Sequence, residues 1–314
     1  MSMTTARKAP MDISLVDPTL RKTVQRMPNV PITNPVALAL APSLSRLIPG
    51  RRVDGVERHR VDADGVRVRV YRPANPSGAA LLWIHGGGLV LGAAAMDDGL
   101  CGETARDLGV TVVSVDYRFA PRHPFPAAID DAWTAWRWLQ ARVGNLGLDR
   151  DRIAIGGQSA GGGLAAALVQ RAVDAGDRVA AQWLFCPMLD DRTATDRARD
   201  AQAHFVWDNR ANLVGWRSYL GDSLGAAELP PYAAAARRDD LAGLPPTWIY
   251  ASEIELFLEE DRAYADRLRA AGVDVTFDLV PGAPHGFEAW AGDTDLARDL
   301  FGRARAWLGA RLAA

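Results

Sequence analysis

The chain has little lysine, little cysteine and no long apolar run. Of its 36 basic residues only Lys8 and Lys22 are lysine, and 38 acidic residues bring the net charge to −2. A chain this near neutrality carries no electrostatic footprint for nucleic acid or an anionic membrane surface. The two cysteines, Cys101 and Cys186, allow at most one disulfide. Without an apolar secretory core between Met1 and Met11 they read as two buried thiols. No stretch of 18 apolar residues occurs, so no membrane anchor is predicted. These absences together predict a soluble, cytoplasmic protein. No Cys/His cluster has metal spacing, and the glycine runs match neither the P-loop nor the dinucleotide fingerprint. No metal and no cofactor are expected.

What is present is apolar material, 48% of 314 residues, arranged in alternating strand and helix patterns. Residues 1–50 suit proline-broken helices. Asp17-Pro18 opens one, with Leu20, Val24 and Met27 on one face; Asn34-Pro35 opens another, with Val36, Leu38, Leu40, Leu44 and Leu47 as apolar surface. They are too short for a separate domain and suit a cover over something else. Val56–Val61 and Val66–Tyr71 alternate as a hairpin about a turn at 62–65. Strands are predicted at Ala79–Ile84, Val110–Val115, 152–156, Val179–Phe185, Thr247–Tyr250 and Val275–Val280. Helices are expected at 97–109, 127–143, from 162 onward, around 259–271 and at 293–312. Residues 190–235 break the alternation and read as an inserted helical segment. The rest divides into a core of 51–189 and 236–314. Alternating strands and helices imply an α/β fold with a mostly parallel sheet, whose ligands bind beyond the carboxyl ends of its strands.

Gly157-Gln158-Ser159-Ala160-Gly161 lies between a strand pattern and a helix pattern. That context makes G-x-S-x-G a nucleophile elbow. A serine hydroxyl needs a base, and the base an orienting carboxylate. Among His59, His85, His123, His204 and His285, only His285 stands in a loop just after the final predicted strand, Gly282 to Phe287. The acid is sought between Ser159 and His285, where Glu253 and Glu255 both follow strand Thr247–Tyr250; Glu259, Glu260 and Asp261 suit the first turn of a helix. Gly86-Gly87-Gly88 and the N–H of Ala160 can hold an oxyanion, one such donor contributing about 3 kcal/mol in the transition state.

The set His85-Gly86-Gly87-Gly88, Asp116-Tyr117-Arg118 with Ala120-Pro121 and His123–Ala128, Gly157–Gly162 and Pro284-His285-Gly286-Phe287 resembles the hormone-sensitive-lipase-like (bacterial family IV) carboxylesterases of the α/β-hydrolase superfamily. The resemblance spans roughly residues 50–310. It implies an α/β-hydrolase fold with about eight mostly parallel strands and a helical cap made from residues 1–50 and 190–235. It further implies Ser159 as nucleophile, His285 as base, Glu255 as acid, and an oxyanion hole from Gly87, Gly88 and Ala160. The chain departs from the family at Glu255-Leu256-Phe257, where Asp-Pro-Leu is usual, at Gln158, where Asp is frequent, and at Leu89, where an aromatic residue is common. Leu89 and Gln158 are candidate pocket residues, together with the cap aromatics Phe205, Trp207 and Trp216. The implied activity is hydrolysis of small short- to medium-chain esters through an acyl-enzyme. Amide, lactone or carbamate hydrolysis on the same residues is an alternative, and non-catalytic ligand binding is another. Homodimerisation through an edge strand occurs in the family.

Overall fold

The computed structural model describes residues 9–27, 32–45 and 47–313. The parts of the expected N-terminal cap helices that fall at 1–8, 28–31 and 46 lie outside the described residues. Eight strands form one sheet: β1 (Val56–Ala63), β2 (Val66–Pro73), β3 (Ala80–Ile84), β4 (Thr111–Asp116), β5 (Ile153–Gln158), β6 (Gln182–Phe185), β7 (Thr247–Ser252) and β8 (Val275–Val280). Their order across the sheet is β8-β7-β6-β5-β3-β4-β2-β1. Only β2 runs antiparallel to both its neighbours; the pairs from β4 to β8 are parallel. The β1–β2 turn is tighter than expected: Ala63 pairs with Val66, leaving Asp64 and Gly65 at positive φ as a two-residue hairpin turn.

The central strands are apolar on both faces because helices cover both. Along β3, Leu82 and Ile84 join one core with Val113 and Ile155, and Leu81 and Trp83 join the other with Val112 and Ala154. The first core is closed by α4 (Ala127–Ala141), α5 (Ala160–Asp174) and α7 (Leu258–Ala270), through Trp136, Leu164 and Leu268. The second is closed by α3 (Asp98–Leu108) and α8 (Asp295–Leu312), which pack Cys101, Ala105, Leu300 and Leu308 over Trp83, Trp183, Phe185 and Trp248. Both cysteines are buried and unpaired. Among the described residues no helix is long and apolar enough to cross a membrane.

Near the N-terminus, Asp17 caps α1 (Pro18–Arg26), and Leu20 and Val24 are buried as expected. The Asp17 N–H also donates to Gly282 O at 2.8 Å, tying this helix to the loop that carries His285. The next helix, α2 (Pro35–Ser45), is oriented differently from expectation. Val36, Leu40 and Leu44 face solvent, as does Leu47 just beyond it; Leu38 packs on the core. Its buried residues are Ala41 and Ser45, one turn apart, whose small side chains allow close approach while the larger ones point away. The 190–235 segment holds a short helix, Asp191–Thr195, and α6 (Asn209–Leu220). Within it, Gln202–Ala203 pairs in parallel with Ala9–Pro10. Two-residue strands carry no readable period, and this link between the two regions was not anticipated.

Candidate active site

Ser159 stands between the end of β5 and the start of α5 with φ +53°. A non-glycine residue in that region is strained, and it persists because the surroundings over-determine it. Its N–H donates to Phe185 O at 2.8 Å, and its carbonyl accepts from Gly163 and Met188. The neighbouring glycines are steric requirements. A Cβ on Gly161 would lie 2.1 Å from Ile84 O, and one on Gly157 would lie 2.3 Å from Gly161 O. Only without those Cβ atoms can α5 leave β5 so sharply.

His285 follows β8 in a buried loop. Its Nε2 is 2.8 Å from Ser159 Oγ, and its Nδ1 is hydrogen-bonded to Glu255 Oε2. Glu255 is buried, and its Oε1 accepts from the Ser252 N–H at 2.7 Å. Both candidate acids begin at the end of β7, but they point apart: Glu253 is exposed, and its Oε2 accepts from the Gly282 N–H at 2.9 Å. Ser159, Glu255 and His285 are therefore brought together, and Glu253 is not in their chain.

The glycine run lies against the serine. A Cβ on Gly86 would be 3.4 Å from Ser159 Cβ. Gly87 and Gly88 have φ of +122° and +60°. Among the described residues, the N–H groups of Gly87, Gly88 and Ala160 find no backbone acceptor, while Gly87 O accepts from Val90 and Leu91. His85 Nδ1 pairs with Gly86 O, its ring stacks on Tyr117, and the Tyr117 hydroxyl donates to His85 O. Arg118, next in the chain, grips Asp131 of α4 through Nε and Nη2. These contacts brace the glycine run against β4 and α4.

The five predicted pocket residues separate. Leu89 and Trp216 line a small cavity of about 10 Å³ with Ala160, Leu164 and Tyr219. Trp207 packs over the glycine run; a Cβ on Gly88 would meet its ring at 2.1 Å. Phe205 instead packs against the second core. Gln158 turns away from the serine, donating from Nε2 to Glu288 Oε1 at 2.8 Å, and lines a separate cavity of about 330 Å³.

Sequence reasoning missed Glu288 and Cys186. Glu288 lies three residues after His285, in the first turn of the short helix Phe287–Trp290 that follows the His285 loop. Cys186 directly follows β6, the strand beside the elbow, and its Sγ comes within 4.8 Å of donor atoms of Glu255 and His285. This is the one cluster of metal-ligand types among the described residues. The imidazole spends both nitrogens on Ser159 and Glu255, and burial pushes the Cys186 thiol well above its ordinary range, so the cluster does not suit an ion.

An elbow serine bonded to a histidine that is bonded to a carboxylate, at the carboxyl ends of a sheet in this order, defines the α/β-hydrolase class. The α/β-hydrolase fold family matches residues 81–289. The chain is 36% identical to the esterase LipI of Mycobacterium tuberculosis over 247 residues, 77% of each chain. It is 34% identical to the carboxylesterase NlhH of the same organism over 271 residues, 83% of each. Its fold is similar to a bacterial heroin esterase, with a TM-score of 0.88 at 35% identity over 96% of this chain and 99% of that one. The chain belongs to the α/β-hydrolase family and, within it, to the hormone-sensitive-lipase-like ester hydrolases.

Proposed function

We propose that the protein is a serine carboxylesterase working through an acyl-enzyme, with Ser159, His285 and Glu255 as its triad. The observation that carries this reading is the unbroken chain from Ser159 Oγ through both ring nitrogens of His285 to Glu255, beside three uncommitted backbone N–H groups. As Ser159 Oγ bonds to the ester carbonyl carbon, its proton passes to His285 Nε2. The carbonyl electron pair moves to oxygen, where the N–H groups of Gly87, Gly88 and Ala160 receive it. Glu255 holds Nδ1 protonated and stabilises the imidazolium. Collapse breaks the bond to the alcohol, which leaves with the proton from Nε2. Water then repeats the steps and releases the acid.

The helices of the N-terminal 50 residues and of 190–235 act as the cap. The ring of Trp207 closes over Gly88, and the small cavity beside Leu89 and Ala160 supports short acyl groups. The test is hydrolysis of p-nitrophenyl esters with acyl chains from two to sixteen carbons, wild type beside Ser159→Ala. Turnover falling steeply with chain length, and lost in the variant, supports the reading. A folded wild type silent on the whole series overturns it and directs attention to lactones and amides.

A further inference from the structure

Behind the triad lies a second hydrogen-bonded chain, and its hydrogens can be counted. Gln158 Nε2 donates to Glu288 Oε1 at 2.8 Å. Glu288 Oε2 is 2.6 Å from the Tyr250 hydroxyl, which is 3.0 Å from Ser252 Oγ, which is 3.1 Å from Pro284 O. A backbone carbonyl can only accept. The three oxygen–oxygen contacts running from Glu288 to Pro284 therefore need three hydrogens, all directed toward Pro284. Tyr250 and Ser252 bring two. Glu288's own backbone N–H also lies against its carboxyl, but it supplies no hydrogen to any of these three contacts. With Glu288 ionised, one contact must fail: the Tyr250 proton goes to Glu288, and Ser252 serves either Tyr250 or Pro284.

Resting on the triad reading above, we infer that Glu288 is a positioning residue held as a neutral carboxylic acid, whose Oε2 proton heads the chain Glu288–Tyr250–Ser252–Pro284 and thereby fixes the loop of His285. Pro284 immediately precedes His285, and Glu288 follows it by three residues, so both flanks of the base are held. Ser252 joins the two halves of the site, because its N–H holds Glu255 while its hydroxyl holds Pro284. Gln158, beside the nucleophile in sequence, anchors the other end of the chain. A glutamine fits there because its amide donates to the carbonyl oxygen of a neutral acid; an aspartate would set a second carboxyl against Glu288.

The surroundings agree with a neutral acid. Glu288 is almost fully buried, and burial pushes its carboxyl up from the ordinary range. The titratable groups near it are Asp97 from the start of α3, Cys186 directly after β6, and His285. Arg51, Glu103 and Asp293 line the adjoining cavity with it; Arg51 is largely exposed and paired with Glu103. Of these, Arg51 and a protonated His285 favour a charged Glu288, as do hydrogen bonds donated to its carboxyl by Gln158 and Tyr250; burial is the larger effect and acts the other way. A charged Glu288 would in turn favour the imidazolium and withdraw the base from Ser159.

The experiment compares Glu288→Gln, Glu288→Ala and Tyr250→Phe. A glutamine can donate to Tyr250 and accept from Gln158, so it reproduces the neutral acid. We expect kcat to fall about tenfold or more in E288A and Y250F with little change in KM, and E288Q to recover most of that loss. At alkaline pH, wild-type kcat falls as Glu288 ionises, and E288Q lacks this limb. Independently of activity, the infrared difference between wild type and E288Q should contain the carbonyl stretch of a protonated carboxyl at pH 7. A folded E288Q as impaired as E288A, or no such band in the difference spectrum, overturns the inference. The infrared band reads the proton directly, so a failure of the esterase reading would leave it in place.

Discussion

Glutamine at position 255 is the substitution whose effect the geometry determines most tightly. Glu255 Oε1 accepts from the Ser252 N–H, and Oε2 accepts from His285 Nδ1. A glutamine there must keep its oxygen toward the Ser252 donor, which turns its NH₂ toward Nδ1. Two donors then face each other. Relief comes only if His285 moves its proton to Nε2, the nitrogen 2.8 Å from Ser159 Oγ that must be free to take the serine proton. The wrong tautomer of a triad histidine costs about 10⁴-fold in kcat, roughly 5 kcal/mol of transition-state stabilisation. Glu253→Ala is the control. It removes one solvent-facing bond to the Gly282 N–H, a loss of about 1 kcal/mol in stability, and should leave kcat/KM within about threefold. Steady-state hydrolysis of p-nitrophenyl acetate, alongside urea denaturation of each variant, measures both quantities. A folded E255Q within tenfold of wild type, or an E253A more damaged than E255Q, would refute the assignment of the acid.

Two further predictions concern buried charge, and both are read by urea denaturation. Asp98 is buried and accepts from Arg69, Tyr71 and Arg58, so Asp98→Ala strands two guanidinium groups and should cost about 3–5 kcal/mol; a loss below 1 kcal/mol would contradict that. Asp97 is buried against Trp83 Nε1, and its carboxyl is pushed up to about 7, mainly by burial. A carboxyl raised on folding retains its proton in the native state while the unfolded chain loses it, so its penalty is absent below pH 4 and grows as pH rises to 7. Asp97→Asn, which keeps an oxygen for Trp83, should therefore match wild type near pH 4 and exceed it at pH 8.5, by up to about 4 kcal/mol; equal stability at pH 8.5 would contradict it.

Ser159 and His285 were legible in the sequence because each sits in a short motif with a defined place at a strand end. The sheet was legible for the same reason, since Leu81–Ile84 and Ile153–Ile155 are apolar on both faces. Glu255 was legible by resemblance but not by pattern. Glu253 and Glu255 share a parity that a continuing strand would point to one side, but β7 ends at Ser252 and the chain turns between them. The orientation of α2 was hidden because apolar residues occupy nearly every position, so no stripe singles out Ala41 and Ser45. Phe205 suits a pocket aromatic on composition, but it packs against the second core, a contact between distant segments that no local pattern encodes. Glu288 carried a weak signal, its spacing of three from His285, with nothing in the sequence to place Tyr250 opposite it.

An acyl-enzyme mechanism requires that Ser159 become acylated during turnover. Acid-quenching the enzyme during hydrolysis of p-nitrophenyl acetate, then mapping the digest by mass spectrometry, tests it most directly. A single acetyl group is expected on the peptide containing Ser159, absent from Ser159→Ala. Steady hydrolysis with no adduct under any quench condition, or an adduct on another residue that persists in Ser159→Ala, would contradict it.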